Sequence, residues 1–87
     1  MIIEVVAFRP TVEHSEFITL NEEYQEAVAY QSPGLLRRTV AAGADGAWVE
    51  VRLWSDDSER VMSGDSAARA RWEHSIAVES SASYSML

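Results

Sequence analysis

The sequence predicts an α+β fold with elements in the order β-α-β-β-α-β. This is the ferredoxin-like arrangement, a four-stranded antiparallel sheet with both helices on one face. Three observations carry the reading. A β-branched and aromatic run at residues 1–9 and a clean apolar alternation at 48–54 bracket a helix period. Ser32-Pro33-Gly34 stops the first helix, because Pro cannot continue it and Gly permits a tight reversal. Gly43-Ala44-Asp45-Gly46 supplies the unusual backbone angles of a hairpin loop.

Each element follows from its residues. Met1 to Arg9 reads as a strand of β-branched and aromatic residues closed by Pro10. Its apolar residues fall on both parities, Ile3, Val5 and Ala7 against Ile2, Val6 and Phe8, so both faces call for cover. Phe17, Leu20, Tyr24, Ala27 and Val28 then form the stripe of a helix from about His14 to Tyr30. Glu16, Glu22, Glu23 and Glu26 lie mostly off that stripe and read as a solvated face. Leu35 to Ala42 is the second strand and Trp48 to Trp54 the third. Ser55 reads as an N-cap before an acidic helix start, with helical character from about Asp57 towards His74. Gly64-Asp65-Ser66 breaks that stretch, with Ser66 recapping the second piece. Ser83 to Leu87 reads as the fourth strand.

Composition narrows the function classes. Residues 1–87 read as one small domain, and a chain of this length hides only about 60–65% of its surface alone. Seven Arg, no Lys and fourteen Asp plus Glu give a net charge of −7, opposite to the footprint of a nucleic-acid binder or an anionic membrane surface. With no Cys there is no disulfide, thiol nucleophile or zinc ribbon. No apolar stretch approaches the ~18 residues of a membrane span, and no signal-peptide pattern is present, so a cytoplasmic protein is expected.

The third strand alternates Val49, Val51 and Leu53 with Trp48, Glu50, Arg52 and Trp54. The sequence reading leaves the second set on the free face of the sheet. Two bare Trp beside aliphatics would form a large apolar patch, so a homodimer through that face is expected. Glu50 and Arg52 would then pair across the subunits. Arg37 and Arg38 point to opposite faces, one solvated and the other meeting Glu50 or Glu4 at the interface.

Three segments resemble the antibiotic biosynthesis monooxygenase family of the dimeric α+β barrel superfamily. They are Ala7-Phe8-Arg9-Pro10 before a helix with Phe17, Ser32-Pro33-Gly34-Leu35-Leu36-Arg37-Arg38, and Leu53-Trp54-Ser55-Asp56. The likeness is good over roughly residues 1–62 and looser beyond. It implies two sheets packed face to face in a dimeric α+β barrel, with a cavity between sheet and helices in each subunit. It also implies oxygenation of aromatic or polyketide-like molecules with no bound metal, flavin or other cofactor. Cyclisation or isomerisation, or a non-catalytic ligand-binding module, are alternatives on the same fold, and fold alone does not choose among them. Haem degradation is disfavoured, because the Asn and His of the haem-degrading members are missing: the matching positions read Ala7-Phe8 and Gly64.

Four residues are candidates for the site. Asn21 lies within the apolar helix stripe, where a buried amide must be bonded; it could hold a substrate carbonyl or oxyanion, or simply meet backbone. Tyr24, a turn later, could orient a phenol or serve as core. Trp54 matches the family position that lines the cavity, yet its parity places it with Trp48 on the expected dimer face. His74 is the candidate proton shuttle, although a surface role is the simpler reading. No second His stands at metal-ligand spacing, and no phosphate loop or nucleophile elbow is present.

Overall fold

The structure, a computed structural model, describes residues 1–87. Its elements are β1 (Ile2–Pro10), α1 (His14–Ala27), β2 (Leu35–Ala42), β3 (Trp48–Trp54), α2 (Ser66–His74) and β4 (Ile76–Ser85). Single 3-10 turns follow α1 at Ala29–Gln31 and β3 at Asp57–Glu59. The strands form one antiparallel sheet in the order β2-β3-β1-β4, so the ferredoxin-like expectation holds.

Local chemistry sets the boundaries. The hairpin between β2 and β3 turns at Asp45 and Gly46, both at positive φ, and Arg9 donates to the Asp45 carbonyl beneath it. The stretch after β3 is not the first half of a helix: it makes one 3-10 turn and then runs irregularly to Asp65. Asp56, rather than Ser55, caps that turn by accepting from the Ser58 and Glu59 amides. Asp65, rather than Ser66, caps α2 by accepting from Ala67 and Ala68 at 2.8 and 3.2 Å. The fourth strand is much longer than the Ser83–Leu87 reading, because the Ser-rich run 80–85 pairs along β1 instead of forming a loop.

The core lies between sheet and helices. Phe8 of β1, Phe17, Tyr24 and Val28 of the α1 region, and Ala68 and Trp72 of α2 form one buried cluster. Trp72 is its hub, 5.3 Å from the Tyr24 ring, 5.5 Å from Phe17 and edge-on to Phe8 at 5.6 Å. Trp48 packs against Phe17 at 5.0 Å, so it too lies under the helices.

That position corrects the expected faces. The register sets Phe8 opposite Trp48, Val6 opposite Glu50, Glu4 opposite Arg52 and Ile2 opposite Trp54. This whole row faces the helices; Phe8, Glu50 and Trp54 are fully buried. The free face carries Ile3, Val5, Ala7, Val49, Val51 and Leu53, all of intermediate exposure. Both parities are apolar enough to be buried, and the covered set was decided by size: the Trp and Phe rings fill the thick layer beneath two helices.

Two glycines fasten the 55–65 segment onto this layer. A Cβ on Gly64, which sits at φ +91, would come within 2.1 Å of the Ala27 carbonyl. A Cβ on Gly34 would come within 2.3 Å of the Glu59 carbonyl. Ser32 adds a third tie, donating to the Val28 carbonyl at 2.7 Å and accepting from the Ser63 amide at 2.9 Å.

Candidate functional site

Beneath the helices runs a chain of alternating charges. Arg38 of β2 pairs with Glu50 of β3, and Glu50 pairs with Arg52 two residues along at 2.7 Å. Arg52 reaches Glu4 of β1 at 3.0 Å, and Glu4 lies 3.9 Å from Arg60 at the outer end. The Arg38 and Glu50 side chains are 1% and 0% exposed, so the ion pair at this end of the chain is sealed from water. The sheet register makes the chain possible, because Arg38, Arg52 and Glu4 are aligned across three adjacent strands. A charge this deep requires a partner, and each member here has one of opposite sign. Burial disfavours the Arg52 charge, but Glu50, Tyr24 and Glu4 together more than compensate and hold the guanidinium above its usual range.

Three of the four sequence candidates meet this chain. The Asn21 carbonyl oxygen accepts from Arg38 Nη2 at 2.9 Å, beside Gln25, which accepts from Nη1 at 2.9 Å. Tyr24 lies under the Arg38 guanidinium, whose carbon is 4.7 Å from the Tyr24 ring and 4.9 Å from that of Trp72. Burial pushes the Tyr24 hydroxyl above its ordinary value, with the Arg52 cation offsetting part of the shift. Trp54 donates its indole N–H to Glu4 at 3.3 Å. The conflict over Trp54 thus dissolves, since the face it shares with Trp48 is the helix-covered one. His74 stands apart, exposed at the end of α2, in a surface groove of about 230 Å³ with Val12, Glu16, Leu20, Arg71 and Ser75.

Glu50 and Arg52 pair within the subunit, not across an interface, and Arg38 meets Glu50 under the helices. The sequence reading missed that these charges build an interior. The available signal was their arrangement: equal numbers of Arg and Glu, all on one strand parity, each able to neutralise a neighbour.

No hollow opens between sheet and helices beside Asn21, Tyr24 and Trp54. At the outer end of the chain lies a surface groove of about 310 Å³ lined by Ile2, Asp57, Arg60, Ser83, Tyr84 and Ser85, and a small one of about 50 Å³ has Arg38 in its wall. Arg60 forms the floor of the larger groove, bonded to Ser83 at 2.7 Å and Asp57 at 3.1 Å while touching Glu4. No helix is long and apolar enough to cross a membrane.

Two solved structures share this fold. One is a candidate antibiotic biosynthesis monooxygenase from Chloroflexus aurantiacus J-10-fl, 14% identical, with a TM-score of 0.71 over 100% of this chain and 94% of that one. The other is a candidate antibiotic biosynthesis monooxygenase from Deinococcus radiodurans, 14% identical, with a TM-score of 0.63 over 99% and 92% of the two chains. Both bear the family name that the sequence resemblance gave, and their common fold bears out that resemblance. No protein-family model matches the chain, and no curated protein matches it in sequence.

Proposed function

We propose that this chain is an antibiotic biosynthesis monooxygenase-like protein, a cytoplasmic homodimer that oxygenates a small aromatic or polyketide-like molecule without a bound cofactor. The observation that carries this reading is the convergence of Asn21, Tyr24 and Trp54 on the Arg38–Glu50–Arg52–Glu4 chain. Oxygenation of a phenolic substrate needs a place for negative charge, and two interior guanidiniums beside an aromatic pair supply it. A carboxylate of the chain takes the phenol proton. The electron-rich ring carbon of the phenolate adds to molecular oxygen to give a hydroperoxide. That carbon then loses its remaining hydrogen as the O–O bond breaks. One oxygen atom stays as a quinone carbonyl, the other leaves as water, and all four electrons come from the substrate. Asn21 and the Trp54 N–H hold the substrate oxygen in place of their present partners. His74, exposed and distant from the chain, has no part in this step.

The dimer forms through the free sheet face. Ile3, Val5, Val51 and Leu53 stand there half-exposed on a 9.7 kDa chain, and a second copy is the economical cover.

Oxygen uptake with hydroxylated anthrones and naphthols tests the reaction. Uptake that falls at least tenfold in Asn21→Ala and Trp54→Phe is expected. No uptake from any substrate, with no effect of either change, would sink it. Turnover that continues without oxygen would instead assign a cyclase or isomerase.

The filled interior favours a second reading, a non-catalytic dimeric binding module. Asn21 and Trp54 already spend their polar groups on Arg38 and Glu4. Under this reading the aromatic panel neither binds nor reacts, while the dimer persists.

A further inference from the structure

The interior beneath the helices has no hollow, so a molecule that reaches the charge chain needs part of the cover to move. The cover is uneven. Phe8, Tyr24 and Trp72 sit in the cluster packed by both helices. Trp54 is buried just as deeply, yet it stands outside that cluster. Glu4 accepts from the Trp54 indole at 3.3 Å and lies 3.9 Å from Arg60, so the segment after β3 stands beside Trp54.

That segment is fixed at both ends and weakly held between them. At one end the Ser55 amide donates to the Gly34 carbonyl at 2.9 Å. At the other, Met62 packs on the core and its carbonyl accepts from Arg69 at 3.2 Å, while the Asp65 amide donates to the Ala27 carbonyl at 3.0 Å. From Asp56 to Val61 the backbone bonds stay inside the segment. Asp57 with Arg60 at 3.1 Å and Ser55 with Glu59 at 3.0 Å make it one stiff unit. Arg60 alone carries its hydrogen bonds to the rest of the protein, donating to the Ser83 hydroxyl at 2.7 Å. Arg60 is half-buried, whereas Asp56 to Glu59 and Val61 are exposed.

We propose that Asp56–Val61 is a lid, hinged at Ser55 and Met62 and latched by Arg60, that opens the way from the surface to Glu4 and the Trp54 N–H. Segments that open locally have few buried contacts and exposed backbone bonds, and hinges sit at the ends of elements. Both conditions hold, since one side chain bonds the lid down and Ser55 directly follows β3. The groove of about 310 Å³ already has Arg60 as its floor, with Ile2 and Ser83 in its walls. Swinging Arg60 out with the lid removes that floor and makes Glu4 and the indole the next layer. Gly34 permits the closed position, because the Glu59 backbone rests where a side chain would otherwise stand. That a substrate passes this way rests on the oxygenation reading; the hinged motion does not.

Hydrogen exchange of the full chain in deuterated water, read by NMR at the Trp54 indole and the backbone amides, tests the lid. It needs no substrate, so its result is separate from that of oxygen uptake. Two variants open the lid in different ways. Arg60→Ala removes the latch. Gly34→Ala sets a methyl group 2.3 Å from the Glu59 carbonyl and lifts the lid from below. Each should speed exchange of the Trp54 indole at least about tenfold, while the slowest amides of β1 and β3 keep their rates. An indole rate unmoved in either folded variant would overturn the proposal. So would a rise shared by the slowest amides, because the segment would then part only when the whole chain unfolds. Arg60→Ala disturbs no core packing and decides alone if Gly34→Ala does not fold.

Discussion

Glu50 and Val51 are neighbours on β3, yet they belong to different worlds. Glu50 points into the layer under the helices, is fully buried, and sits between two arginines. Val51 points to the free face and remains half-exposed beside Ile3 and Leu53. A rule that sends apolar residues inward and charges outward would place them the other way round, and the sequence reading made that choice. What resolves the inversion is mutual neutralisation. Charges that cancel one another along a strand register can be buried, whereas an apolar face with no helix over it stays partly open on the single chain.

The two faces respond differently to substitution. The largest effect is expected at Glu50. Glu50→Ala strands Arg38 without a counter-charge, leaves Arg52 with Glu4 alone, and should cost about 3–5 kcal/mol in urea unfolding. A loss below about 1 kcal/mol would mean that water reaches the chain and that the covered face is not sealed. Added formate should restore part of the loss, because it supplies the missing carboxylate.

Gly64→Ala tests how firmly the helices are fastened over that face. The new methyl group meets the Ala27 carbonyl at a backbone angle that L residues avoid, so a loss of about 1–3 kcal/mol is expected, read as a lower thermal midpoint. An unchanged midpoint would show that the 55–65 segment is free to lift.

On the other face, Val51→Asp should cost the folded subunit about 1 kcal/mol or less. It should nonetheless convert a dimer to a monomer in sedimentation, since two carboxylates would be forced into an apolar contact. A dimer that survives this change places the subunit contact elsewhere.

The smallest expected effect is a pH dependence at Tyr24. Its folded pKa is raised by burial, so its contribution is fully present below the unfolded value of about 10 and is lost as pH rises through the folded one. Tyr24→Phe should flatten the fall in stability above pH ~10, measured by urea midpoints across that range. A curve identical to that of the parent chain would show that the ring hydroxyl reaches solvent.

Element order was legible because it rests on period and punctuation. The switch from the alternation of residues 48–54 to the helical stripe of Phe17, Leu20 and Tyr24, with Ser32-Pro33-Gly34 between, needs no tertiary information. β4 was not legible at Ile76, because Ser80 to Ser85 lacks a β-branched run and its serines read equally as loop; only pairing with β1 makes it a strand. The candidate site was half legible. Asn21, Tyr24 and Trp54 stood out by residue type and position, but their convergence depends on Arg38 and Glu4, whose charges read as an ion pair at a subunit interface. The parities read for β1 and β3 hold. What failed was deciding which parity the helices cover, because β1 is apolar on both and the decision lies in three-dimensional volume.

The alternating chain from Arg38 to Glu4 also constrains how this protein can drift. Any single neutral replacement along it leaves the set with an unbalanced charge, and loss of Glu50 strands Arg38 outright, so the residues cannot be exchanged one at a time without loss. Exchanges in pairs, or wholesale substitution by apolar side chains of similar volume, avoid that loss. Descendants of this chain should therefore keep all four residues, trade them in matched steps, or abandon the set together.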